Sequence, residues 1–215
     1  MLGDFSTQAI ISFLYVLPAI IISMAIHEFA HAFVAYKLGD LSQKNQGRLT
    51  ISPFAHIDWF GFISLALVGF GWGKPVEVNT RNFKNPAKGM MLTAFAGPLS
   101  NILLAILLTI LLKIFAVTGI LDMIGNGASG QIFIGIFAQT IQMNIVFGIF
   151  NMLPIPPFDG AKILFYFLPY KFRELEFMLE KYSFVIIIVM LVTNMHVYIM
   201  QPFMNLMYML INFIL

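Results

Sequence analysis

Two histidines and a glutamate stand at residues 27, 28 and 31, in HEFAH, at the end of the apolar run AIISFLYVLPAIIISMAI (9–26). On an α-helix, residues four apart differ by about 40° in azimuth and about 6 Å in height, so His27 and His31 can reach one metal ion. Glu28 lies about 60° from His31 on the same flank, which sets a carboxylate beside the metal rather than on it. There it can take a proton from bound water, whose pKa a divalent cation lowers towards about 7. Two imidazoles and one oxygen ligand leave the fourth position of a tetrahedral site open for that water. The chain has no cysteine, so the donors are nitrogen and oxygen. At membrane depth such residues also serve as proton relays, transport sites or satisfied polar networks. The HExxH spacing favours the metal hydrolase among these.

A third ligand should lie at the same depth as the two histidines. Asp4 and Asp122 fall on the opposite membrane face, the acidic residues of 174–180 sit among basic ones, and Asp58 belongs to a loop with His56. Asp159, in NMLPIPPFDG (151–160), is left. Pro154, Pro156 and Pro157 cannot continue a helix, so the backbone unwinds there and opens at membrane depth, which is costly unless it shapes a site.

The elements that would carry these residues follow from composition. Of 215 residues, 60% are hydrophobic and 10% charged, with a mean hydropathy of +0.88, against roughly a quarter charged in soluble domains. The expected fold is an all-α membrane protein in one domain, residues 1–215. Its polytopic helical bundle has spans at about 8–36, 89–117, 131–153 and 182–201. An apolar tail, 203–215, follows Pro202 and would raise the count to five or six if it also crossed. Between the first two spans, over about 46–80, RLTIS (48–52) and PVEVN (75–79) alternate as a small β element does, and WFGFISLALVGFGW (59–72) reads as a re-entrant loop. The start of the chain lacks the basic residues and cleavage site of a signal peptide, so it is expected to stay in the mature protein.

Basic residues are retained on the cytoplasmic side. Segment 37–88 carries Lys37, Lys44, Arg48, Lys74, Arg81, Lys84 and Lys88, residues 118–130 carry none, and Lys162, Lys171, Arg173 and Lys181 precede the fourth span. This alternation puts the N-terminus outside and the HExxH end of the first span near the cytoplasm. The net charge of +2 is small and dispersed, which excludes a nucleic-acid surface.

HEFAH in an apolar helix, AGPLSN (96–101) and NMLPIPPFDG, in that order, resemble the site-2 protease family of intramembrane zinc metalloproteases, peptidase family M50. SPFAHID (52–58) and GWGKPVEVN (71–79) resemble its small members. The resemblance implies one zinc per chain on His27, His31 and Asp159, with Glu28 as general base. It also implies Asn151 and Asn101 as residues that hold the substrate or the developing oxyanion. The substrate it implies is the transmembrane segment of a membrane-tethered protein, cut within the lipid bilayer of a bacterial inner membrane; residues 118–130 are too few for the PDZ domain that larger members carry. Substrate pairing with the edge near RLTIS or PVEVN would hold the unwound segment extended. His56 reads as a structural loop contact, and His196 as an interhelical hydrogen bond. The rival class is a transporter of divalent metal ions or protons using the same polar residues.

Overall fold

The structure, a computed structural model, describes residues 7–68, 71–125 and 127–215. Asp4, and Gly69 and Phe70 of the 59–72 stretch, lie outside them. Helix α1 (Thr7–Lys37) is followed by the short α2 (Ser42–Asn45) and by α3 (Trp59–Val68). Then come α4 (Pro86–Val117), α5 (Ile120–Gly125), α6 (Ala128–Asn151), α7 (Asp159–Phe167), α8 (Arg173–Lys181), α9 (Ser183–Val192) and α10 (Met195–Ile214). Among the described residues, four helices are long and apolar enough to cross a membrane: Phe13–Lys37 of α1, α4, α6 and α10.

The fourth of these corrects the expected span. Residues 182–201 hold two helices, and α9 has only ten residues. Asn194, at φ 54°, takes the left-handed conformation that asparagine tolerates better than most residues, and the chain breaks there. Helix α10 then runs through Pro202 to Ile214, so the tail continues this span instead of adding one. His196 Nδ1 lies 3.2 Å from the Met190 carbonyl of α9 and ties the two helices across the break.

The small β element and the re-entrant loop are corrected as well. Among the described residues the only bridge between extended segments pairs Ile57 with Gly73, and no strand forms. The alternation in PVEVN reflects an extended backbone, but side chains take the place of a neighbouring strand: Gln43 Nε2 donates to the Glu77 carbonyl (2.8 Å) and Asn79 N–H to Asp40 Oδ2 (2.8 Å). RLTIS turns instead, with Ser52 N–H on Thr50 Oγ1 and the Thr50 carbonyl against His56 Nε2 at 2.8 Å. This places His56, which is fully buried, as a loop contact. In the apolar stretch, Asp58 accepts from Gly61 N–H through its side chain (2.9 Å) and from Phe62 N–H through its carbonyl (2.8 Å). That cap starts a regular helix, α3, where an irregular loop was expected.

Helices α1, α4 and α6 pack against one another and position the site. Helix α4 starts on Asn85, whose side chain accepts from Lys88 N–H, with Pro86 in the first turn, where its missing N–H costs nothing. Helix α6 approaches α4 closely at Gly148, where a Cβ would lie 2.7 Å from Ile102 Cδ1. Below that contact Ile141, Ile145, Ile149, Met190, Met200 and Ile211 join α6, α9 and α10 in one apolar core. Helix α1 ends in a Schellman turn. Gly39, at φ 112°, sends its N–H to the Tyr36 carbonyl, and Asp40 N–H reaches back to Ala35.

Candidate metal centre

Helix α1 brings His27 and His31 to one face, and the proline-broken turn after α6 returns the chain so that Asp159 opens α7 beside them. That return is tight: a Cβ on Gly160 would lie 2.2 Å from the Met152 carbonyl oxygen, so the position takes glycine. The Nε2 atoms of His27 and His31 are 2.9 Å apart, and Asp159 Oδ2 stands 3.1 Å from each. All three residues are buried. Lys162 Nζ is 3.5 Å from the other Asp159 oxygen.

One face of α4 holds both rings from behind. His31 Nδ1 donates to the Thr93 carbonyl at 2.7 Å, and His27 Nδ1 donates to Asn101 Oδ1 at 2.7 Å. Gly97, halfway between, leaves room for the imidazoles: a Cβ there would lie 2.5 Å from His31 Nε2 and 2.6 Å from His27 Cε1. The orientation of Asn101 is fixed because its amide donates to the Ser23 carbonyl (2.9 Å) and to Asn144 Oδ1 (2.8 Å). Asn144 in turn donates to the Thr140 carbonyl at 2.8 Å. The chain of bonds ends on main-chain carbonyls, which only accept, so both Nδ1 atoms carry the proton.

In neutral rings both Nε2 atoms are therefore acceptors, and they face each other and a carboxylate oxygen with three lone-pair sites converging. A proton on one ring could bridge only one of the three pairs. A cation between them satisfies all three, and ligands about 2.0–2.1 Å from a tetrahedral zinc stand ~3.3 Å apart, near the separations seen here. Among the described residues this is also the group of histidine and acidic side chains whose donor atoms lie close enough, within 4.8 Å of one another, to share an ion. The residues fit a metal of the zinc type.

Glu28 lines a cavity of about 140 Å³ together with the three cluster residues, Val76 and Asn151. Its Oε2 accepts from Val76 N–H at 3.0 Å. The cavity thus has a carboxylate one residue from His27, outside the cluster, and the amide side chain of Asn151 on its wall.

The family model of peptidase family M50 matches residues 15–194. The chain belongs to peptidase family M50. Within that family it is 39% identical over 191 residues to "Putative zinc metalloprotease YwhC" of Bacillus subtilis (strain 168), covering 89% of this chain and 86% of that one. It is 32% identical over 162 residues to "Putative zinc metalloprotease MJ0611" of Methanocaldococcus jannaschii, covering 73% and 72%. It is 28% identical over 188 residues to "Putative zinc metalloprotease Rip2" of Mycolicibacterium smegmatis, covering 84% and 68%. No solved structure matches the chain.

In this M50 chain His27, Glu28, His31, Asp159 and Asn151 meet at one cavity, but Asn101 does not face it. Asn101 is fully buried behind His27, with its polar atoms spent on His27, Ser23 and Asn144, and it cannot hold a substrate there. Gly97 reads in the sequence as fitting close helix packing as well as a site, while the Thr93 carbonyl and Asn144 were not foreseen. The signal on α4 was the repeat of four in Thr93, Gly97 and Asn101, which mirrors the spacing of His27 and His31 on the facing helix. A methyl at position 97 overpacks this contact, at a cost of ~1–3 kcal/mol. Gly97→Ala is therefore expected to lose bound metal while keeping its helical circular dichroism; a full metal equivalent in the purified variant would show that the rings can give way.

Proposed function

We propose that the chain is an intramembrane zinc metalloprotease of the site-2 type, which hydrolyses peptide bonds within or next to transmembrane segments of membrane-tethered substrates. The observation that carries this reading is the convergence of His27, His31 and Asp159 at a cavity with Glu28 on its wall. The names of the M50 relatives support zinc as the metal. The apolar helices and the bacterial relatives support a bacterial cell membrane, and the distribution of lysine and arginine supports an N-terminus outside and a site towards the cytoplasm.

His27, His31 and Asp159 would hold the ion, which when bound polarises a carbonyl and lowers the pKa of water. Glu28 takes the proton from the attacking water and later gives it to the leaving amine. Thr93 and Asn101 keep both imidazoles in the tautomer that turns Nε2 to the cavity. A transmembrane substrate hides its amides in helical hydrogen bonds, so a short stretch must unwind before it enters.

Asn151 sits on the cavity wall with its Nδ2 on the Phe147 carbonyl at 3.0 Å. Its amide is placed to turn towards charge that develops on the scissile carbonyl. Asn151→Ala is expected to lower kcat by about 10²–10³-fold with metal content unchanged. An unaltered kcat would remove Asn151 from the reaction.

The reading is tested by reconstituting the protein with single-span membrane substrates, and by comparing membrane proteomes of cells bearing wild type or Glu28→Gln. A single-span protein that accumulates uncut in the variant supports it. Ion flux in proteoliposomes that survives Glu28→Gln, with no cleavage by wild type, would support the transporter instead.

A further inference from the structure

Three buried polar side chains outside the metal centre converge on one short segment beside it. Arg48, 3% exposed, donates through Nη1 to the Ala55 carbonyl and through Nη2 to the carbonyls of Lys74 and of Pro75, the last at 2.9 Å. Gln43, fully buried, donates to the Glu77 carbonyl, and Asp40, fully buried, accepts from Asn79 N–H. Asp40 also accepts from Ser42 N–H, from Gln43 Nε2 and from Asn82 Nδ2. Among the described residues neither Asp40 nor Arg48 forms an ion pair. Two opposite charges are thus buried and spent on main-chain and amide groups. A buried charge is expensive, and replacing such a group by an apolar one is often stabilising. What these bonds do provide is a fixed position for the backbone of 74–79.

From Pro75 to Asn79 that backbone is extended, so main-chain groups of successive residues turn to opposite edges, while the Lys74 carbonyl before it shares Arg48 with that of Pro75. Pro75, Glu77 and Asn79 turn theirs to Arg48, Gln43 and Asp40. Val76, between them, turns its N–H to Glu28. Glu28 is on α1 and Asp40 on the turn that closes it, so the segment is tied at Val76 and at Asn79 to one rod. Val76 and Val78 meanwhile line the cavity that holds the cluster.

We propose that Asp40, Gln43 and Arg48 are positioning residues, which grip one edge of Lys74–Asn79 and thereby fix the Val76 N–H that aims the Glu28 carboxylate. The catalytic half of this inference rests on the protease reading; the mechanical half does not. With one oxygen of Glu28 pinned by an amide, the carboxylate keeps its direction while its other oxygen is left for the proton. A misplacement of about 1 Å in such a group costs on the order of 10²-fold in rate. The clamp holds across the physiological range. Burial alone would raise the Asp40 carboxyl, but the hydrogen bonds from Ser42, Asn79, Asn82 and Gln43 outweigh it and bring it down to about 2. Its contribution is complete above the ordinary carboxylate range and is lost as pH falls through about 2.

The test uses the full chain in lipid nanodiscs and three variants. Asp40→Asn puts an amide donor where donors already point. Arg48→Lys replaces a fork that reaches three carbonyls by a point charge. Val76→Pro deletes the N–H that meets Glu28 Oε2 and leaves the clamp residues untouched. Hydrogen exchange across 74–79, zinc content, kcat and KM on a single-span substrate are measured for each. Asp40→Asn and Arg48→Lys should lose amide protection in 74–79 and drop kcat ~10–100-fold, with zinc content and KM little changed. Val76→Pro should show the same fall in kcat while the Lys74 and Asn79 amides, bonded to the His56 carbonyl and to Asp40, stay protected.

Full kcat in Val76→Pro, or unchanged protection in both clamp variants, overturns the proposal. So does a loss of kcat that always comes with loss of zinc, since the clamp would then act through the metal centre. If the wild type cleaves no single-span substrate, the protease reading fails, and the exchange data still judge the clamp.

Discussion

Glu28→Gln is expected to lower cleavage by about 10²–10⁴-fold while the protein keeps one zinc per chain. Glutamine has the same shape as glutamate and can still meet the Val76 N–H through its carbonyl oxygen, so the cavity wall keeps its form. It cannot take up a proton, and the water that attacks the peptide then has no base. Glu28 is not among the three groups whose donor atoms lie close enough to share an ion, so metal binding should be close to that of wild type. Metal content and single-turnover cleavage, measured on one preparation, check both halves. A variant that cuts as fast as wild type would move the base elsewhere, and one that loses zinc would make Glu28 a ligand.

Asp159→Ala should have the opposite signature, with metal and cleavage lost together. The carboxylate supplies the only anionic donor in the cluster, 3.1 Å from both imidazoles. Without it, two neutral nitrogens face a cavity that Lys162 also lines, and the ammonium loses the carboxylate 3.5 Å away. Changing a residue that merely supports a ligand weakens metal binding by ~10–100-fold; removing the ligand should cost more. Competition against a chelator of known affinity gives the number. Wild-type affinity in Asp159→Ala would mean that the ion sits away from this cluster.

Much of this site could be read along the chain because its parts carry local signals. The spacing of His27 and His31 belongs to one helix, and the prolines of 154–157 announce a break whatever surrounds them. Asp159 followed from the alternation of basic segments, which set depth, and from the setting of other acids on that side, Asp58 in a loop with His56 and those of 174–180 among basic residues. The fourth span was misplaced because hydropathy runs on through Asn194, while the break there depends on a single left-handed residue between two apolar helices. PVEVN was legible as extended but not as isolated. Its partners are the side chains of Asp40, Gln43 and Arg48, whose meeting with 74–79 is tertiary. Asn101 was assigned to the substrate because its motif gives a residue type without a direction. Its place behind His27 depends on how α4 is turned against α1, which Gly97 permits and Asn144 on α6 completes.

The central claim is that two imidazoles and one carboxylate from distant parts of the chain grip a single zinc ion within the helical bundle. Zinc K-edge X-ray absorption on the purified wild-type protein, with zinc quantified on the same sample, tests it most directly. One equivalent per chain is predicted, with a low-coordinate shell of nitrogen and oxygen at about 2.0–2.2 Å that contains two imidazoles. A protein with no stoichiometric zinc, or with zinc in an all-oxygen shell lacking imidazole scattering, would contradict it.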